Sequence, residues 1–221
     1  MLLTVAAAAV TSSLQAAYVS GDLLVGFTSA GAANDYIFDV GSYATLFNGE
    51  TWSLANTGAS GNFTTSQFSA ADWGVIGALS LTHTIYSSAG SAGVPVENPN
   101  AFNTIKLNVS STGQSSTSGS ATAPGQTTAN SWYSQTDQPN GTPGNYFFNN
   151  LDNPNNKVNV AANLYANDNL GDAATLLGDF TISADGNTLT WTAVPEPTAY
   201  AILGGFGLLA LTLRRRFAHK A

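Results

Sequence analysis

From Asp22 the chain alternates with period two, so that Leu23, Val25 and Phe27 share one face of an extended segment. A second run sets Tyr36, Phe38 and Val40 opposite Asp35, Ile37 and Asp39. The two runs predict a hairpin, with Ser29-Ala30-Gly31-Ala32-Ala33-Asn34 supplying the loop. A short helical turn is expected at Ser42 to Phe47. A longer one is expected at Ala70 to Ile76, where Ser69 followed by Asp72 has the spacing of a capping box. Leu79 to Ser87 reads as a strand with Leu79, Leu81, His83 and Ile85 on one side. Phe102 to Ser110 reads as another, with Ile105, Leu107 and Val109 inward and Lys106 and Asn108 outward. Val158, Val160, Ala162 and Leu164 alternate in the same way. The clearest hairpin comes last: Leu176 to Ser183 and Thr188 to Val194 flank Ala184-Asp185-Gly186-Asn187, whose Asp-Gly pair suits a tight turn.

Between these runs, Ser110 to Ser131 consists largely of Ser, Thr, Gly and Ala, with too little apolar side chain to offset the entropy of ordering, so a long mobile surface loop is expected. Trp132-Tyr133 and Tyr146-Phe147-Phe148 bracket a turn-rich stretch from Asp137 to Gly144. Roughly seven to nine strands without βαβ alternation or internal repeats predict a mainly β fold, an antiparallel β-sandwich of jelly-roll-like form.

The two ends of the chain follow other rules. Leu2 to Val10 is an apolar run leading into small and polar residues up to Ala17, as in the core and cleavage region of a signal peptide, although no basic residue precedes it. At the other end, Val194-Pro195-Glu196-Pro197 precedes the uncharged segment Thr198 to Leu213, which is closed by Arg214-Arg215-Arg216. As a helix, Thr198 to Leu213 rises roughly 24 Å, against a hydrocarbon core of about 30 Å, so it spans a bilayer only with thinning or help from its flanks. The arginines place the C-terminus on the cytoplasmic side and everything before Pro195 outside.

The tripeptide Pro195, Glu196 and Pro197, the glycine-bearing apolar helix and the stop signal Arg214, Arg215 and Arg216 together resemble the PEP-CTERM sorting signal of Gram-negative bacteria. The resemblance covers about the last 28 residues. It implies recognition by an exosortase, a membrane-embedded protease expected to cut near the tripeptide, so that the mature protein loses the helix much as a GPI-type tail is lost. Glu196 is then a recognition handle on the substrate. The expected organisation is a signal peptide over residues 1–17, an extracytoplasmic β-sandwich domain over 18–193, and the sorting signal with a single C-terminal transmembrane helix over 194–221.

Charge narrows the choice of partner. Between Tyr18 and Ala193 two lysines stand against twelve carboxylates, a net of −10, which repels nucleic acid and anionic lipid. The chain has no cysteine, which removes disulfides, thiolate metal sites and thiol nucleophiles. His83 stands among aliphatics, and no serine sits in a nucleophile-elbow spacing, so no catalytic residue is assigned. Most carboxylates neighbour Gly or Asn in turns, where they cap local backbone, and no cofactor or metal site is assigned. The expected function is an exported, non-enzymatic structural protein of the cell surface or matrix. By the same resemblance it is expected to associate with exopolysaccharide and biofilm. The alternative is a carbohydrate-binding module in which Trp132, Tyr133 and Tyr146 form a stacking platform beside Asn-rich loops; core packing is the favoured reading of the same aromatics. A secreted glycoside hydrolase would require two carboxylates converging in a cleft.

Overall fold

The computed structural model describes residues 18–54, 62–88, 102–113, 119–129, 131–136, 156–168 and 174–194. The expected signal peptide, Tyr146 and the whole sorting signal from Pro195 onward lie outside the described residues.

The fold is mainly β and antiparallel, as the alternation predicts. Among the described residues ten strands belong to one hydrogen-bonded sheet. They are β1 (Asp22–Thr28), β2 (Tyr36–Ser42), β3 (Thr51–Ser53), β4 (Asp72–Leu79), β5 (Thr84–Ser88), β6 (Ala121–Thr122), β7 (Asn156–Lys157), β8 (Ala162–Asp168), β9 (Thr175–Ile182) and β10 (Thr188–Ala193). Their order is β3-β10-β9-β8-β5-β4-β1-β2-β6, with β7 paired separately to β4. A sandwich divides its strands between two sheets, whereas here a single sheet curls around its core. The curl is fixed by contacts between strands far apart in that order. Tyr43, just past β2, lies 5.0 Å from the ring of Tyr86 on β5 and 6.2 Å from Trp191 on β10. The β9–β10 turn packs on Phe68, which in turn stacks on Phe27 of β1 at 6.2 Å. Gly186 in that turn has φ 73°, and a Cβ there would sit 2.4 Å from Phe68, so both backbone and space require glycine.

Period two decides which side chains fill the curl. Leu23, Val25 and Phe27 of β1 join Tyr36 and Phe38 of β2, Trp73 and Val75 of β4, and Phe180 and Trp191 in one buried cluster. The intervening residues Leu24 and Ile37 turn to the outer face, where Ile76, Ala78 and Ile85 meet them. Two helices cover that face: α2 (Phe102–Thr112) contributes Val109, and α3 (Trp132–Thr136) contributes Trp132. Covering both faces is why β1 is buried at all seven positions. Trp132 packs directly on the backbone of Gly26, because the Cβ that Gly26 lacks would fall 1.9 Å from its ring.

Several expectations are corrected. Phe102 to Ser110 is helical, and Leu107 is 67 % exposed while Val109 is buried; its alternation was that of a helix with one buried stripe against the outer face. Leu79 to Ser87 is broken by a turn, so that β4 ends at Leu79, Leu81 is 87 % exposed, and His83 adopts φ 54° before β5 begins. The helix expected at Ala70 to Ile76 lies earlier, as α1 (Thr65–Ala70), and Trp73 to Ile76 belong to the buried strand β4. Its capping box is Thr64 with Gln67 in place of Ser69 with Asp72. The helical turn expected at Ser42 to Phe47 is a single 3₁₀ turn, Tyr43–Thr45. Val160 is exposed in a turn, and its strand begins only at Ala162.

The largest correction concerns the segment expected to be a mobile loop. Ser110 to Thr112 close α2, and from Gly119 the described residues run along the open edge of β2, with Ala121 and Thr122 paired to Phe38 and Ile37. Asp39 N–H donates to Ser120 O, Asp35 N–H to Pro124 O, and Gln126 N–H to Ala33 O. Backbone hydrogen bonds to an unpaired strand edge supply the order that the small side chains cannot.

Candidate functional site

Where the β1–β2 turn, α1 and the edge segment meet, the surface opens into a cleft of about 600 Å³. One wall is the end of β1 and its turn, with Thr28, Ser29 and Gly31; the facing wall is α1, with Ser66, Gln67 and Ala70. Asp72 and Lys157 close one end, and Gln126 and Tyr133 the other.

The walls are tied to each other by side chains. The Thr64 hydroxyl accepts from Gln67 N–H at 3.2 Å, and the Gln67 side-chain oxygen Oε1 accepts from Thr64 N–H at 2.9 Å, which satisfies two donors at the start of a six-residue helix. The same Gln67 reaches across with its amide nitrogen to Gly31 O at 3.1 Å, and Ser29 Oγ donates back to Gln67 O at 2.8 Å. At the closed end, Asp72 and Lys157 are cross-strand partners of β4 and β7, and their side chains form an ion pair at 2.7 Å. Lys157 Nζ also donates to Ala70 O at 3.3 Å. The indole N–H of the buried Trp73 donates to Lys157 O at 2.9 Å, which anchors β7 to the core.

The other end is organised by Asp35, whose side chain is wholly buried at the start of β2. Its carboxylate accepts from the backbone N–H of Tyr133 at 2.6 Å and from Gln126 Nε2 at 3.3 Å. Burial pushes this carboxyl above the ordinary range, against the opposing pull of hydrogen bonds from Tyr133, Thr28, Gln126 and Ser131. Gln126 Nε2 is shared further, with Thr28 Oγ1 at 2.9 Å and Ser29 O at 3.0 Å. The donor side of this amide is therefore committed to the protein, and its oxygen is what it has left to offer a ligand. Ser131 starts α3, its hydroxyl accepting from Ser134 N–H at 3.0 Å and donating to Gln126 O at 2.8 Å.

Of the three aromatics expected to form a platform, Trp132 is fully buried under α3 against Gly26, with no exposed ring face. Tyr133 is half-buried and lines the cleft. Tyr146 lies outside the described residues, as do Pro195, Glu196, Pro197 and Arg214 to Arg216. Gln67, Gln126, Asp72 and Lys157 carried no signal that linked them in the sequence, because they come together only through the sheet curl and the edge pairing. His83 lies in the exposed β4–β5 turn, outside the cleft. Among the described residues no group of three or more His, Asp and Glu side chains is placed to hold a metal ion. Among them, too, no helix is long and apolar enough to cross a membrane.

Comparison with protein-family models, with curated proteins and with solved structures gives no match.

Proposed function

We propose that this chain is an exported structural protein of the cell surface or extracellular matrix, a non-enzymatic β-domain sorted by an exosortase through a PEP-CTERM-like signal. The observation that carries the reading is the run Pro195-Glu196-Pro197, uncharged segment and Arg214-Arg215-Arg216 at the C-terminal end of the sequence. The last strand ends at Ala193, Val194 N–H closes a final bond to Leu177 O, and the side chain of Val194 is already 42 % exposed. The two prolines that follow cannot extend the ladder, which suits an extended, protease-accessible backbone close to a membrane.

In this reading the β body sits outside the cell, is held first by the tail helix with its C-terminus in the cytoplasm, and is then released or transferred into an exopolysaccharide or biofilm matrix. Its surface, acidic and poor in lysine, suits contact with uncharged polymer better than with nucleic acid. A second reading, a surface carbohydrate-binding module, is favoured by one observation, the polar cleft with Tyr133 in its wall. The sorting reading is tested by fractionating cells that make the wild-type chain or a chain with residues 195–197 replaced by alanine. Wild type is expected in the surface and matrix fraction and the variant in the inner membrane. Recovery of both from the cytosol contradicts the proposal.

A further inference from the structure

We propose that the cleft between the β1–β2 turn, α1 and the side chains of Gln126 and Tyr133 is a binding site for a neutral glycan. The inference deepens the proposed function by naming a ligand class and a place for it. It rests on the second of those readings, the surface carbohydrate-binding module, and is independent of the sorting signal.

The lining chemistry narrows the ligand by elimination. Among the described residues its only charged side chains are Asp72 and Lys157, which neutralise each other at 2.7 Å, so this lining offers no net field to a phosphate, a nucleotide or a uronic acid. A single carboxylate already paired with an ammonium is no cation site. Hydroxyl and amide groups share the walls with a comparable apolar area, a mixed lining that suits a ligand with both polar groups and C–H faces better than a purely apolar lipid or side chain. What remains is an uncharged molecule rich in groups that both donate and accept.

The site supplies matching partners. Lys157 Nζ spends two donors on Asp72 and Ala70 and retains a third. The second oxygen of Asp72 and the oxygen of Gln126 can accept from sugar hydroxyls. Tyr133 adds an aromatic ring for the apolar C–H face of a pyranose and a phenol for its rim. A volume of about 600 Å³ falls within the range of ligand pockets and suits one or two sugar rings. The walls are also preorganised. Asp35 holds both Gln126 and the backbone of Tyr133, and Gln67 ties α1 to the β1–β2 turn, so little ordering is left for the ligand to impose. Asp35 is thus a positioning residue, buried behind the surface the glycan meets.

The test is isothermal titration of the purified full-length chain in detergent micelles. The probes are neutral hexasaccharides of glucose, mannose, galactose and xylose, with an alginate hexasaccharide as the acidic counterpart. Saturable binding of at least one neutral probe is expected, weakened at least tenfold by Tyr133→Ala. Ser66→Trp places a bulky ring on an exposed position of the cleft wall, gives up only the exposed Ser66–Thr64 hydroxyl contact at 3.2 Å while the Thr64–Gln67 cap stays, and is expected to abolish binding with the variant still folded. It remains informative should Tyr133→Ala fail to fold. Absence of binding to every neutral probe, tighter binding of the alginate probe, or wild-type affinity in folded Ser66→Trp overturns the proposal. None of these results bears on C-terminal processing, which fails or stands by its own measurement.

Discussion

The backbone N–H of Tyr133 donates to Oδ2 of Asp35 at 2.6 Å, although the two residues are separated by 98 positions in the chain. This bond joins the start of β2 to the start of α3, and so fixes both the outer-face helix that carries Trp132 and the cleft wall that carries Tyr133. A buried carboxylate surrounded by donors is a demanding device, because the loss of any partner leaves a desolvated polar group behind.

That arrangement has a pH signature. Burial raises the Asp35 carboxyl above its ordinary range, so between the unfolded and folded pKa values the native state holds more protons than the unfolded chain. The stability from this group is fully present below about pH 4 and is lost as pH rises through the folded value. Asp22 is shifted in the same direction by burial, whereas the exposed Asp185 is held low by the Ser183 hydroxyl and by Asn187, so the whole-protein profile mixes signs. Comparison with Asp35→Asn isolates the term. Urea unfolding from pH 3.5 to 7 is expected to show the advantage of wild type over this variant widest at the acid end and shrinking toward neutrality. An advantage that grows with pH contradicts the assignment.

Trp132 and Gly26 form the tightest packing of the outer face, ring on bare backbone. Trp132→Ala removes a fully buried indole and is expected to cost about 3–5 kcal/mol, read by chemical denaturation. Gly26→Val drives a side chain into the same ring and is expected to be at least as damaging. A loss below about 1 kcal/mol in Trp132→Ala would mean that α3 is only loosely docked.

The capping box of α1 predicts a smaller effect. Thr64→Ala removes the acceptor for Gln67 N–H and is expected to lower stability by about 1 kcal/mol, visible as a drop in Tm. Thr64→Ser, which keeps the oxygen, is expected to stay within a few tenths of wild type. Equal losses in the two variants would locate the effect in the methyl group and not in the cap.

How much of this was legible in the sequence depends on where each segment finds its partners. β1, β2 and the closing β9–β10 hairpin follow from alternation and turn chemistry, because their partners are adjacent in the chain. Phe102 to Thr112 misled because Ile105, Leu107 and Val109 alternate by chance, while the burial of Val109 comes from the distant outer face of the sheet. The Ser- and Thr-rich edge segment looked structureless because its order comes from backbone bonds to β2, which no side-chain pattern records. The cleft was legible only at Tyr133. Asp72 with Lys157, and Asp35 with Gln126, are pairs separated by more than eighty positions, and a single sequence does not register them.

The address carried by the C-terminal run is tested most directly by the intact mass of the mature protein's C-terminus, isolated from cells with and without their exosortase. The account predicts a chain that ends close to Pro195-Glu196-Pro197 when the enzyme is present and one that retains Ala221 when it is absent. A mature, surface-located protein that keeps Arg214 to Ala221 with the enzyme present would contradict it.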